Sequence, residues 1–227
     1  MEKYIGIIVA EDKELEAIKQ CMLDLSEINI YNLVIYKGII NNKTYLLVKC
    51  GVGKVNSART AQILIDKFDI ACIINTGSAG SVNSTLNIGD IVVGTKLVQH
   101  DFDVTAFGRE KGFISDTGKF FESDKNLIEK CKIVKVKNQN ILFGTIASGD
   151  IFCTDINMKN KIRDKFNCDC IEMEGAAIAQ VCFLSNIPFI IIRSISDTPN
   201  GTNNIDFNTY LEFASKNCAE FIKQLAL

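Results

Sequence analysis

The sequence predicts a single α/β domain spanning residues 1–227, with a central mixed twisted sheet flanked by helices in three layers. Three observations predict it. Short apolar runs rich in Ile and Val recur along the chain, and stretches with helical apolar spacing lie between them. No linker, repeat or low-complexity segment interrupts the alternation, and 47% hydrophobic residues suffice for one large core.

Taken in order, Tyr4 to Val9 is short and continuously apolar, as a strand buried on both faces should be. Lys13 to Leu25 has helical spacing, and the acids before and within it, Glu11, Asp12, Glu14 and Glu16, suit a helix N-terminus. A more amphipathic pair of strands around Asn32 to Ile40 leads through Asn41-Asn42 toward Tyr45 to Cys50, which reads as a hairpin and makes the sheet mixed. Further strands are expected at Ile70 to Ile74, Ile88 to Val93, Ile141 to Ala147 and Ile187 to Ile192. Helices are expected at Lys54 to Phe68, Asp124 to Val136, Asn157 to Phe166, Glu174 to Ser185 and from Phe207 to the C-terminus. The one long irregular stretch, about Phe102 to Phe121, is a candidate binding loop.

Composition excludes several function classes. A formal net charge of -2 without a basic stripe gives no footprint for nucleic acid. Nine Cys, an odd number, lie mostly inside apolar runs (Cys50, Cys72, Cys182), and the close pair Cys168 and Cys170 has C-D-C rather than C-x-x-C spacing, so they read as reduced thiols. With no signal-peptide pattern at the N-terminus and no apolar run near 18 residues, the expected location is the cytoplasm, away from membranes. A His-rich metal site or a Ser-His-Asp triad would rest on the lone His100, with no G-x-S-x-G near it. No metal and no cofactor are expected.

Chemistry gathers where strands end. Cys50-Gly51-Val52-Gly53, Asn75-Thr76-Gly77-Ser78-Ala79-Gly80, Ser148-Gly149-Asp150 and Ser194-Ile195-Ser196-Asp197 are rich in glycine and short hydroxyls, which let a ligand approach the backbone. Four such ends imply a common crevice beyond the strands' carboxyl ends. Gly51-Val52-Gly53-Lys54 lacks the insert of a phosphate loop and the third glycine of a dinucleotide fingerprint. Glu172-Met173-Glu174 opens a helix, and two Glu at i and i+2 point apart, so at most one serves a given site: Glu174 either accepts hydrogen bonds from the hydroxyls of a ribose or, as the helix dipole favours, caps the helix start. Met173 beside it offers apolar surface to a sugar face. An apolar strand running into Arg193, Ser196 and Asp197 makes Asp197 a candidate acid.

These motifs, with Gly6-Ile7-Ile8, Gly89-Asp90-Ile91-Val92-Val93, His100-Asp101 and Asp103-Val104-Thr105-Ala106-Phe107-Gly108, resemble in order the 5'-methylthioadenosine/S-adenosylhomocysteine nucleosidases of the nucleoside phosphorylase superfamily. The resemblance covers essentially the whole chain. It implies a nucleoside phosphorylase-like fold, hydrolysis of the N-glycosidic bond of those two nucleosides, or of 5'-deoxyadenosine or aminodeoxyfutalosine, and no cofactor. By resemblance, Glu14 activates water and Asp197 protonates adenine N7, oriented by Ser196. Glu174, flanked by Glu172 and Met173, holds the ribose, while Arg193 and Ser78 lie near the ribose and the acid. Phe152 stacks on adenine and the backbone of Cys153 reads its edge. Val52, Val104, Phe107 and Phe207 line the sugar and alkylthio pocket, with Val104 and Phe107 reaching in from the second subunit of a homodimer.

A leaving purine needs a proton donor and the sugar a carboxylate-activated water, so the physical logic agrees with these roles. A guanidinium on Asp197 would oppose its protonation, so Arg193 is expected to turn toward the ribose or another acid. Phosphorolysis is the close alternative, yet related phosphorylases carry Arg where this chain has Asn75, and Glu11, Asp12 and Glu14 would repel phosphate. A noncatalytic nucleoside-binding protein should have lost one of the two acids. Two departures from the family stand out: Glu11 either faces solvent or shifts substrate choice, and Arg109 is expected on the rim, favouring the carboxylate end of S-adenosylhomocysteine.

Overall fold

A computed structural model describes residues 3–197 and 203–227, the side chains of 203–208 excepted. β1 (Tyr4–Val9) leads into α1 (Asp12–Lys19), and β2 (Leu23–Ile30), β3 (Leu33–Ile40) and β4 (Lys43–Lys49) form an antiparallel meander. Then come α2 (Lys54–Lys67), β5 (Ile70–Ser81), β6 (Ile91–Gln99), a 3-10 turn (Thr105–Phe107), β7 (Phe121–Glu122), α3 (Lys125–Lys132) and β8 (Ile141–Ser148). α4 (Ile156–Phe166), β9 (Cys170–Glu172), α5 (Gly175–Leu184), β10 (Phe189–Asp197) and α6 (Asn203–Gln224) complete the chain.

The strands form one mixed sheet in the order β10-β6-β8-β9-β5-β1-β4-β3-β2, and β10 also pairs with β5. That extra pairing closes five strands into a ring, from which β1, β4, β3 and β2 extend as an open sheet. Alternation sorts the core into two layers. Ile7 and Leu47 pack with Leu15, Ile18, Phe221 and Ile222 on one face, and Ile8 and Leu46 with Ala61, Leu64 and Ile178 on the other. The expected α/β class, mixed sheet and three layers are present.

Three boundaries differ from expectation. Residues 23–25 lie in β2, not in the first helix, because the meander recruits them as an edge strand opposite β3. The Asn41-Asn42 hairpin forms as read, with positive φ at both residues (49° and 62°). β5 continues through Asn75-Thr76-Gly77-Ser78-Ala79-Gly80, and β10 runs to Asp197, so these segments are strands where loops were expected. Their ladder partners are each other: Arg193 faces Gly77 and Asp197 faces Gly80 across the parallel pair.

Candidate active site

Glu14, Glu174, Arg193 and Asp197 line a single cavity of about 420 Å³. Glu14 stands in the first turn of α1 and folds its carboxylate back over the helix start. Its Oε2 accepts the backbone N–H of Ala10 at 2.9 Å and of Glu11 at 3.1 Å, satisfying donors that a helix N-terminus leaves unpaired. Its Oε1 reaches across to β5, where it accepts the Ser78 N–H at 2.9 Å and the Ser78 hydroxyl at 3.3 Å. The carboxylate is buried and held from two elements at once.

β9 ends at Glu172, whose Oε2 accepts the N–H groups of Glu174 (3.0 Å) and Gly175 (2.7 Å) at the start of α5. The Ser148 hydroxyl donates to Oε1, and the Arg193 guanidinium donates to Oε2. Glu172 therefore lines the cavity with its oxygens already engaged by protein. Glu174 accepts the Gly53 N–H at 2.9 Å and lies 3.4 Å from Arg193 Nη2. Burial pushes its carboxyl up to about 7, with Arg193 pulling it down and Glu172 pushing it further up.

Arg193 is fully buried. Its guanidinium donates to Asn75 Oδ1 at 2.6 Å and reaches Glu172 and Glu174. Burial works against its charge, but those two acids and Glu14 outweigh it and raise the guanidinium above its ordinary value. Arg193 thus turns to other acids, as expected. Asn75 also donates to the Ile8 carbonyl at 2.9 Å, so it is spent on holding Arg193 and β1 together.

Asp197 ends β10 just after a register shift that leaves Ser196 as an extra residue opposite β5. Such a bulge re-aims the following side chain. The Ser196 hydroxyl lies 3.2 Å from Asp197 Oδ1. Its other oxygen carries a partner that the motifs do not announce, the Lys159 ammonium of α4 at 2.8 Å, with both side chains almost wholly buried (2% and 4% exposed). A signal was available: the inward residues of α4 are Lys159, Ile162 and Phe166, at helical spacing, so one lysine occupies a core position.

β5 runs between the two acids. A Cβ on Gly77 would come within 2.6 Å of Glu14 Oε1 and Arg193 Nη1, and one on Gly80 within 2.8 Å of Asp197 Oδ2. These glycines stand three residues, about 10 Å, apart along the strand. Only a residue without a side chain lets both carboxylates approach the backbone there.

Val52, Ser78, Phe152, Cys153, Glu172 and Met173 join the acids in lining the cavity. Glu11 lines it too rather than facing solvent, and burial followed by the charges of Glu14 and Asp12 raises its carboxyl. Val104 and Phe107 sit on the 3-10 turn and do not line this chain's own cavity. Arg109 stacks over Phe113 at 5.5 Å, also outside the lining. Phe207 falls outside the described side chains. Among the described residues no group of three or more His, Cys, Asp or Glu is placed to hold a metal ion, and no helix is long and apolar enough to cross a membrane.

The model of the phosphorylase superfamily matches residues 4–226. A 5'-methylthioadenosine/S-adenosylhomocysteine nucleosidase of Staphylococcus aureus is 39% identical over 97% of this chain and 98% of its own length. The nucleosidase of the same description from Neisseria meningitidis, in complex with methylthio-immucillin-A, superposes with a TM-score of 0.94 at 35% identity, over 98% of each chain. The futalosine hydrolase of Helicobacter pylori strain 26695 does so with 0.93 at 33%, over 98% of this chain and 97% of that one.

Proposed function

Because the chain belongs to the phosphorylase superfamily, and within it to the 5'-methylthioadenosine/S-adenosylhomocysteine nucleosidases, we propose that it hydrolyses the N-glycosidic bond of those nucleosides to adenine and a 5-substituted ribose. Residues 1–227 act as one catalytic domain. The observation that carries this reading is that three buried carboxylates, Glu14, Glu174 and Asp197, line one cavity.

Departure of adenine leaves an oxocarbenium-like sugar, so one group must protonate the purine and another must take a proton from the attacking water. Glu14 is the base. Its Ser78 hydroxyl contact, the longest of the four at 3.3 Å, is the one a water can replace. Asp197 is the acid toward N7, steadied by Ser196. Glu174 accepts the ribose hydroxyls, Met173 packs on the sugar, Phe152 stacks on adenine, and the backbone at Cys153 meets its edge. Arg193 and Glu172 hold Glu174 in place, and Val52 contacts the sugar side of the cavity.

Val104 and Phe107 complete the alkylthio pocket of a neighbouring subunit, which makes the working form a homodimer. The exposure of Phe107, 84%, supports this. All nine cysteines are free thiols, which suits the cytoplasm. Aminodeoxyfutalosine is a further substrate to test, given the futalosine hydrolase among its structural relatives.

The experiment is adenine release from methylthioadenosine, S-adenosylhomocysteine and aminodeoxyfutalosine in phosphate-free buffer. Turnover without phosphate is the expected result. A strict requirement for phosphate, with ribose 1-phosphate as product, would make the enzyme a phosphorylase instead.

A further inference from the structure

We infer that Lys159 is a positioning residue that holds the catalytic acid in the ligand-free site and must give up Asp197 Oδ2 when a purine binds. The inference rests on the assignment of Asp197 as the acid toward N7.

Both oxygens of Asp197 are engaged. Oδ1 faces the Ser196 hydroxyl at 3.2 Å, and Oδ2 accepts from Lys159 Nζ at 2.8 Å. Both side chains are almost wholly buried, and a buried carboxylate left without a cation is costly, so the ammonium offsets the burial of this acid. To protonate N7, the same carboxyl must carry a proton and present an oxygen to the purine edge. The ammonium and the purine therefore compete for one atom.

The helix is built for such an exchange. Lys159 lies in the first turn of α4, which Asp155 caps by accepting the Asn157 N–H at 2.7 Å, and which follows directly on the adenine-side residues Phe152 and Cys153. Lys159 lines the cavity together with both of them. Its core-facing neighbours Ile162 and Phe166 are apolar, and the four-carbon stem of lysine can withdraw along such a surface while the charge finds the open side of the cavity. Arg193, the other cation of the cavity, is committed to Glu172, Glu174 and Asn75 and is not an alternative partner for Asp197.

An ion pair that must open before substrate binds, in ground state and transition state alike, raises KM and leaves kcat alone. The test is a steady-state series on the full chain: wild type, K159M, K159R and D197N, with methylthioadenosine as substrate and adenine release as readout. K159M should lower KM by about tenfold, the size of one charged hydrogen bond, with kcat within about twofold of wild type. K159R keeps a cation on the acid and should restore a KM at or above the wild-type value. An unchanged or raised KM in K159M, or a kcat that falls with it, overturns the inference. Should K159M fail to fold by circular dichroism, K159Q is read in its place with the same criteria. Wild-type chain that releases no adenine, or fully active D197N, would remove the functional reading itself. Active wild type with a flat Lys159 series removes only the role of Lys159.

Discussion

Glu14 and Glu174 are both buried carboxylates, yet their surroundings hold them differently. Glu14 is clasped by three backbone N–H groups and one hydroxyl, all of which donate. Glu14→Gln should therefore cut kcat for adenine release by about 10²-fold or more through loss of the base. It should also lower stability by about 1–3 kcal/mol, because an amide nitrogen cannot accept those donors. Thermal melting beside the kinetics separates the two effects, and full activity in the variant would sink the assignment. Glu174 is instead held up to about 7, mainly by burial. Its folded value is above the ordinary 4.5, so its contribution to stability is complete below about pH 4.5 and is lost as pH rises through 7. Only the ionised form can accept both ribose hydroxyls. KM for methylthioadenosine should accordingly fall between pH 6 and pH 8, and melting of Glu174→Gln should lose the wild-type decline that runs from about pH 4.5 to about pH 7. A pH-independent KM would count against Glu174 as the ribose ligand. From sequence, Glu174, Asp197 and Arg193 were legible as polar residues abutting apolar runs. Lys159 was not, because a lysine in a helix ordinarily lies on a solvated face and its inward turn depends on a partner 38 residues away.

At the level of elements, β5 and β10 carry the design. Gly77 and Gly80 leave room for Glu14, Arg193 and Asp197 against the strand. Gly80→Ala places a methyl within 2.8 Å of Asp197 Oδ2 and should lower kcat without abolishing folding, since the contact is with the end of a side chain. Gly77→Ala meets Glu14 and Arg193 together and should reduce both activity and the yield of folded protein. Activity assays with circular dichroism on both variants check this, and wild-type behaviour in either would show that the acids do not need the bare backbone. Local sequence read Asn75 to Gly80 as loop because glycine, serine and threonine weaken a strand pattern. The ladder with β10, more than 100 residues later in the chain, overrides that preference by pairing the backbone of each. The Asn41-Asn42 hairpin was legible for the opposite reason, since a two-residue turn is decided within its own few residues.

For the whole molecule, the 3-10 turn Thr105–Phe107 exposes Phe107, and neither Phe107 nor Val104 lines the chain's own cavity. If a second subunit receives them, Phe107→Asp should dissociate the dimer in analytical ultracentrifugation and raise KM for methylthioadenosine. A variant that stays dimeric and fully active would remove that role. The sequence by itself determined the α/β class and the three-layer arrangement, because periodicity and residue type record which atoms must be buried. It determined the family as well, through eight short motifs in order. Only the tertiary structure decided that β10 closes a ring against β5, that the bulge at Ser196 aims Asp197, and that a lysine from α4 holds the acid. Each of these depends on contacts between segments far apart in the chain, and no local spacing encodes which distant partner will satisfy a buried charge.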